Sequence, residues 1–431
     1  MKDTYIPRIF DKTLEFALRS KGAVLVVGPK WCGKSTTSSR FAKTIIDLTI
    51  EESKQQYIAF AKASPTLFLQ QGEKPLLIDE WQEIPFIWNS IKDQVDKSHS
   101  FGQFILTGSV SEKEKKGKKG KKGEIHTGTG RIVKKMMRPM SLFESGDSNG
   151  KVSLQGLEEG AFAPCFCSKT IEDYAFCICR GGWPMAIGQE EGIALQQARD
   201  FFEATVNEDI FSLKDIALRK NVALARKFMR SYARNIASQC PDATFLQDVV
   251  SSEESFNVKT LGKYLLALQR LYIAEDLEAW NPNLRSKTAI RSKPTRHFVD
   301  PSIATSALGA TPKSLFKDMR TFGLLYESLC VRDLRIYCSS FGASLYHYRD
   351  KADREADAVI DYPDGNYALI KIKMGDQEDI DEAAEKLIAL SKDIDEEKTG
   401  KPLFLMVITM GVAALRREDG VYEIPLACLK D

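Results

Sequence analysis

The chain has 431 residues, of which 43% are hydrophobic and 28% charged, with a formal net charge of +2. That length predicts two to four domains with ample material for buried cores. The near-neutral balance, in a composition ordinary for a soluble protein, excludes a strong polyelectrolyte.

In chain order, the opening MKDTYIPRIF has no apolar stretch after its charges, so no export signal is expected. The longest apolar runs, such as PLFLMVITM, are too short to span a bilayer, and no membrane partner is expected. The nine cysteines are unevenly spaced and, without an export signal, are expected to be reduced in the cytoplasm. The first strong signal is the apolar run AVLVV followed by GPKWCGKST. Gly28, Pro29, Lys30, Trp31, Cys32, Gly33, Lys34, Ser35 and Thr36 read as a phosphate-binding loop between a strand and a helix. Its backbone N–H groups would wrap phosphates, and the following helix would add its positive end. Lys34 is placed to reach the β- and γ-phosphates of ATP, and the Ser35 hydroxyl to ligate Mg²⁺.

PLLIDE, 75–80, reads as a strand ending in two carboxylates. Asp79 would hold the Mg²⁺ shell, and Glu80 would accept a proton from an attacking water. Ile84, Ile87, Ile91 and Val95 then mark one helical face. QFILTGS is a further strand, whose Thr107 and Ser109 would lie beside the γ-phosphate if the strands are neighbours. Strands alternating with helices predict a parallel sheet with its ligand at the carboxyl ends.

Residues 112–124 hold seven lysines and three glutamates with no apolar residue. The run reads as a solvated loop, or as a contact for DNA or an acidic partner without sequence preference, since it offers no aromatic to stack. Cys165, Cys167, Cys177 and Cys179 invite a zinc site, but C-x-C is not the spacing of common zinc ribbons. With neighbours two apart expected on different sides, they read as small buried hydrophobes. RGGWP reads as a loop. Residues 221–280 look like a winged helix, with Val258, Leu261, Leu265, Leu268 and Leu271 on one face of a helix. Lys259, Lys263, Gln269 and Arg270 on that helix would suit DNA, although such domains also serve as packing modules. NLRSKTAIRSKPTRH is either a phosphate contact or a solvated connection. The last part reads as a helix, three strands, a helix and a strand.

GPKWCGKST, LLIDEWQ, FILTGS, GTGRI, MRPMSLFE, RGGWP, HFVDPSIA and FGLLYESLCVRDL resemble, in this order, a family of prokaryotic AAA+ superfamily P-loop ATPases. Members of that family carry a C-terminal domain similar to PD-(D/E)XK nucleases. The resemblance implies that Lys34 and Ser35 are the Walker A pair, Asp79 and Glu80 the Walker B pair, and Thr107 and Ser109 the sensor strand. Arg131 takes the family's Gly-Arg position, either approaching the γ-phosphate or as a surface arginine. The nuclease carboxylates would fall at Glu327, Asp357 and the first position of E-x-K, which here is Lys371-Ile372-Lys373. An ammonium in place of a carboxylate opposes Mg²⁺ binding, so cleavage is expected to be lost, with Asp357 paired to Lys371 or Lys373 and only Glu355 as a substitute ligand.

The expected fold is α/β. Residues 1–150 form an AAA+-like parallel-sheet core, 151–310 a helical and winged-helix region, and 311–431 a degenerate restriction-endonuclease-like domain. The expected function is Mg²⁺-dependent ATP hydrolysis by a switch or machine that acts on a partner such as nucleic acid, with oligomers allowed. A scaffolding NTPase without nucleic acid, or an ATP-gated DNA nuclease, are the alternatives.

Overall fold

Five short runs rich in Val, Ile and Leu build the first sheet, three of them (β1, β3 and β4) almost wholly buried: β1 Ala23–Val27, β2 Thr44–Asp47, β3 Leu76–Asp79, β4 Phe104–Gly108 and β5 Ile132–Met136. In the computed structural model, described over residues 5–108, 129–213, 216, 218–250, 256–281, 293–350, 352–394 and 399–431, they lie in the order β2-β3-β4-β1-β5. All four pairings are parallel. Alternate residues of β1 serve opposite faces: Ala23 and Leu25 pack with Leu76, Ile78 and Phe104, whereas Val24 and Val26 pack with Phe10, Leu14 and Ile105. A strand buried on both faces must be apolar throughout, which is why AVLVV is a continuous run. Ile84, Ile87, Ile91 and Val95 are buried as their spacing predicts. The α-helix itself starts only at Trp88, after two 3₁₀ turns, Trp81–Glu83 and Pro85–Ile87.

This sheet belongs to one compact unit, Phe10–Arg138 with Arg270–Tyr272. A second unit holds residues up to Ile9, Pro139–Gln269 and Ile273–Asp431. Residues 139–150 therefore fold with the middle and C-terminal parts, not with the parallel sheet. No helix among the described residues is long and apolar enough to cross a membrane.

In the second unit, β6 Val152–Ser153 and β7 Cys165–Phe166 precede the helices, and β8 Ser344–Arg349, β9 Glu355–Asp361 and β10 Tyr367–Ile372 follow them as an antiparallel meander. The helix Gln377–Asp393 then leads to β11 Leu405–Thr409, β12 Ala413–Arg416, β13 Tyr422–Pro425 and β14 Leu429–Lys430. The seven-stranded order is β7-β12-β13-β11-β10-β9-β8, and β14 pairs with β6. The helix, three strands, helix and strand read from the sequence are present, but β7 extends the sheet from residues far upstream. β7 also corrects the expectation for the C-x-C cysteines. Residues two apart on a strand share a face, so Cys165 and Cys167 both approach Cys428.

The middle of the chain contains helices Val222–Arg234, Asp242–Val250 and Val258–Arg270, followed by antiparallel bridges of Ala274 with Phe298 and Leu277 with Thr295. Leu261, Tyr264 and Leu268 form the buried face of the last helix, whereas Val258, expected inside, is 72% exposed. From the basic stretch, Arg296 is buried and pairs with Asp242 and Asp276 at 2.7 Å each, so it is neither a phosphate contact nor a solvated connection.

A buried ion cluster joins four of the sequence motifs. Arg332 donates to Asp300 at 2.9 Å and to Asp333 at 2.7 Å, all three side chains being almost fully buried. Asp300 caps the helix Pro301–Leu308 and accepts the Gly182 N–H at 2.9 Å, while Asp333 accepts the Leu142 N–H at 2.9 Å. The glycines of RGGWP are required here: a Cβ on Gly182 would overlap the Met140 carbonyl oxygen. Gly182→Ala is expected to destabilise the protein by more than about 2 kcal/mol, the range of backbone overlap in a packed interior. Gly192→Ala, in the first turn of the helix Glu191–Ala204 with nothing within 4 Å of its new Cβ, should instead be neutral or stabilising by up to about 1 kcal/mol. Urea unfolding of both variants checks the pair.

Candidate active site

The loop after β1 turns because Gly28 takes φ 151° and Gly33 φ 96°, conformations that cost a side chain dearly. A Cβ on Gly28 would also overlap the carbonyl oxygen of Met137. That oxygen accepts the Cys32 thiol at 3.5 Å, and the Met137 N–H donates to Val27 at 2.8 Å. The loop is thus fastened to the end of β5 from below. Gly33 caps the helix Lys34–Phe41, so the free N–H groups of that helix open into the loop. Gly28, Pro29 and Cys32 are buried, and Lys30, Trp31, Ser35 and Thr36 are exposed. The Lys34 ammonium is buried and donates to the Gly28 and Pro29 carbonyls at 3.1 and 2.8 Å.

Because β4 lies between β1 and β3, three elements deliver hydroxyl and carboxylate groups to one point. Asp79 Oδ1 at the end of β3 accepts the Ser35 hydroxyl at 2.9 Å and also the Thr107 hydroxyl. Thr107 Oγ1 in turn accepts the Glu80 N–H at 3.2 Å. Glu80 itself is left-handed, φ 55°, which swings its carboxylate away from the strand line. Burial pushes the Glu80 carboxyl up, against a hydrogen bond from Gln82 and the charge of Lys34. Ser35 and Asp79 present hard oxygen donors side by side, a set that fits Mg²⁺.

Gln82 was not singled out by the sequence reading. Its amide donates to Glu80 Oε2, and its buried Oε1 has no hydrogen-bond partner among the described residues. A Cβ on Gly108 would come within 2.8 Å of that oxygen, so the glycine after Thr107 gives Gln82 its space. The available signal was the polar residue two after Glu80 in DEWQ.

Arg131 does not join this cluster. Parallel register puts Ile132 beside Ala23, at the start of β1, and the Ala23 N–H donates to the Arg131 carbonyl. Arg131 therefore lies at the amino end of the sheet, the opposite end from the loop, where its exposed guanidinium donates to Asp96 at 2.8 Å. Ser109 and the lysine run 112–124 lie outside the described residues.

Residues 20–145 match the model of an AAA domain. Two further stretches match models described as domains of unknown function, DUF8612 over 171–314 and DUF4143 over 322–429. Uncharacterized proteins of Mycobacterium bovis and Mycobacterium tuberculosis are each 21% identical over 349 residues, 81% of this chain and 69% of theirs. Among solved structures, a Walker-type ATPase of Pyrococcus abyssi covers 71% of this chain and 97% of its own, at 14% identity and TM-score 0.41. The Orc1 protein of Aeropyrum pernix in complex with DNA covers 71% and 93%, at 11% identity and TM-score 0.24. Over residues 20–145 the first unit is thus similar to AAA domains, and its glycine-rich loop lies between β1 and the helix Lys34–Phe41.

A second charged cluster lies in the seven-stranded sheet. The Lys371 ammonium is buried and donates to Glu355 at 2.7 Å and Asp357 at 3.2 Å, and the Ile372 N–H donates to Asp357 at 2.7 Å. Attraction to these carboxylates raises the Lys371 pKa in spite of burial. The Asp357 carboxyl is nevertheless held up: its burial outweighs Lys371, and Glu355 adds to the rise. Burial and Asp357 hold Glu327 well up too. Lys371 lowers the proton affinity of Asp357, as a paired ammonium must, but burial and the neighbouring carboxylate outweigh it.

At the nucleotide site, the Glu80 carboxyl should titrate above the usual carboxylate range. Gln82→Leu removes a bond that favours the ionised form, so the titration should move further up. A ¹³C-carboxyl NMR titration of both proteins checks the two signs.

Proposed function

We propose that the Phe10–Arg138 unit binds ATP with Mg²⁺ and hydrolyses it, and that this cycle switches the chain's action on nucleic acid. The observation that supports it best is the convergence of Ser35, Asp79 and Thr107 at the carboxyl ends of adjoining strands, beside a buried lysine and a half-buried glutamate. Mg²⁺, when bound, neutralises charge that develops on the transferred phosphoryl group. Ser35 and Asp79 would hold it. Lys34 would exchange its two loop carbonyls for phosphate oxygens, a charged partner for a neutral one. The loop's N–H groups would bind the remaining phosphate oxygens. Glu80 would accept a proton from the attacking water, oriented by Gln82 and by the Thr107 bond to its backbone.

The nucleic-acid part rests on the middle of the chain. Three helices followed by an antiparallel pair have the order of a winged helix, and Lys259 and Gln269 are exposed on its last helix. Such a helix enters the major groove in DNA-binding members of that fold class. In the C-terminal part, the order of helix, three strands, helix and strand supports a nuclease-like ancestry, and the Lys371 cluster supports loss of cleavage.

Lys34→Ala should abolish tight ATP binding. Glu80→Gln should keep binding and lower turnover by about 10²-fold or more. Arg131→Ala should leave nucleotide affinity unchanged. Calorimetry and a phosphate-release assay measure all three, and a second release assay with duplex DNA should show a higher rate. Undiminished turnover in Glu80→Gln would remove the assigned base, and a rate indifferent to DNA would favour a scaffolding NTPase.

The unmodified protein should not cut plasmid or single-stranded DNA with Mg²⁺ or Mn²⁺, with or without ATP. Lys371→Glu should raise metal affinity at Asp357, read by calorimetry with Mn²⁺. Metal-dependent cleavage by the unmodified protein, lost in Asp357→Ala, would make it an ATP-gated nuclease instead.

A further inference from the structure

Of the nine cysteines only Cys32 lies in the phosphate-binding loop, and three of the others meet at one place. Cys165 and Cys167 sit on and just after β7, the edge strand of the seven-stranded sheet. Cys428 lies on the 3₁₀ turn Leu426–Cys428 after β13. The Cys428 thiol is fully buried beside that of Cys167, whose Sγ–H donates to the Gly411 carbonyl at 3.6 Å. Cys167 is half-buried between exposed neighbours, Phe166 being 69% exposed, so a small solute reaches it while Cys428 stays covered.

The backbone holds the two thiols together. The Asn149 side chain donates to the Phe166 carbonyl at 3.0 Å, and its N–H donates to the Ala427 carbonyl at 2.9 Å. The Ala427 N–H donates to the Tyr174 hydroxyl at 3.0 Å, and the Cys167 N–H to the Val412 carbonyl at 2.8 Å. One asparagine thus ties the residue before each cysteine into the same frame. A bond of about 2.05 Å between the sulfurs would tie the end of the two-residue strand β7 to the turn Leu426–Cys428.

We propose that Cys167 and Cys428 are a peroxide-responsive dithiol that closes to an intrachain disulfide. The Cys167 thiolate attacks hydrogen peroxide, the O–O bond breaks, and a sulfenic acid and hydroxide form. The Cys428 sulfur then displaces the sulfenic oxygen, which leaves as water with the Cys428 proton, and the S–S bond forms. Two thiols lose two electrons in total, and the peroxide gains them. The environment favours the first step at Cys167. Its Cys428 neighbour, the Lys169 N–H and the Lys169 charge pull the Cys167 thiol down, which favours the nucleophilic form there over the other cysteines. Burial holds Cys177 and Cys179 up, to about 11 and about 12, which leaves them inert. Cys165 also contacts Cys428 and is the competitor that the experiment must separate.

The test uses the full chain, reduced, then treated with a small excess of hydrogen peroxide. Expected results are the loss of two thiols of the nine, an intact mass lower by two hydrogens, and a Cys167–Cys428 cross-linked peptide in a non-reducing digest. In Cys428→Ser, Cys167 should stop at the sulfenic acid and be captured by dimedone. In Cys165→Ser, the disulfide should form as in the parent. Because a variant can misfold, a second measurement uses the unmodified reduced protein: brief iodoacetamide treatment at neutral pH should label Cys167 ahead of every other cysteine. A cross-link through Cys165, a disulfide between chains, preferential labelling elsewhere, or nine thiols surviving peroxide would each overturn the proposal.

Discussion

The first unit depends on where one carboxylate sits. Asp79 ends β3, and its Oδ1 accepts hydroxyls from the helix after β1 and from the end of β4. Those bonds exist only because β4 is inserted between β1 and β3 in parallel register. With every strand running the same way, every carboxyl end faces one side, and polar residues there cost no core packing. The register also sorts what belongs to the site. Thr107 and Met137 lie at the loop end of β1, and Arg131 lies at the other. Buried hydroxyl–carboxylate contacts of this kind need all their partners, since losing one leaves another unsatisfied in a low-dielectric setting.

The second unit is organised by a different polar cluster. Arg332, Asp300 and Asp333 are desolvated together, an arrangement that is stable only with further hydrogen bonds to the remaining lone pairs. Those come from the backbone N–H groups of Gly182 and Leu142, far away in sequence, and of Ser302 in the helix that Asp300 caps. Glu144 repeats the device nearby, accepting from Arg8, from the Ile9 N–H and from the Ser141 N–H. Motifs that look unrelated along the chain are therefore the walls of one buried network. Their order in the sequence is a record of packing, not of catalysis.

How far the sequence could be read follows from the range of the interactions. The P-loop, the DE pair and the apolar strands are local patterns, and AVLVV, LLID and FILTG became strands at or within a residue of their runs. Gly-x₄-Gly-Lys-Ser states its own chemistry. Arg131 could not be placed, because two residues along a strand decide its end of the sheet and charge carries no register. Gln82 could not be weighed until Glu80 was seen to turn left-handed. Cys165 and Cys167 were misjudged because the short strand β7 had no apolar run to announce it, and its partner β12 lies more than two hundred residues away in sequence. Lys371 is the converse case: the nuclease resemblance pointed to a pairing of Asp357 with Lys371 or Lys373, and the fold selects Lys371, while the burial that governs the proton affinity there was visible only in the fold.

In the proposed cycle the metal and the nucleotide belong to the Ser35–Asp79 site, and the Asp357 cluster holds neither. Anomalous diffraction from crystals grown with Mn²⁺ and a slowly hydrolysed ATP analogue tests it most directly. The expected result is one strong manganese peak about 2.1 Å from the Ser35 hydroxyl oxygen, beside Asp79, with phosphate density wrapped by residues 28–36 and no peak among Glu327, Glu355 and Asp357. A manganese peak at Asp357, or nucleotide density away from the loop after β1, would contradict it.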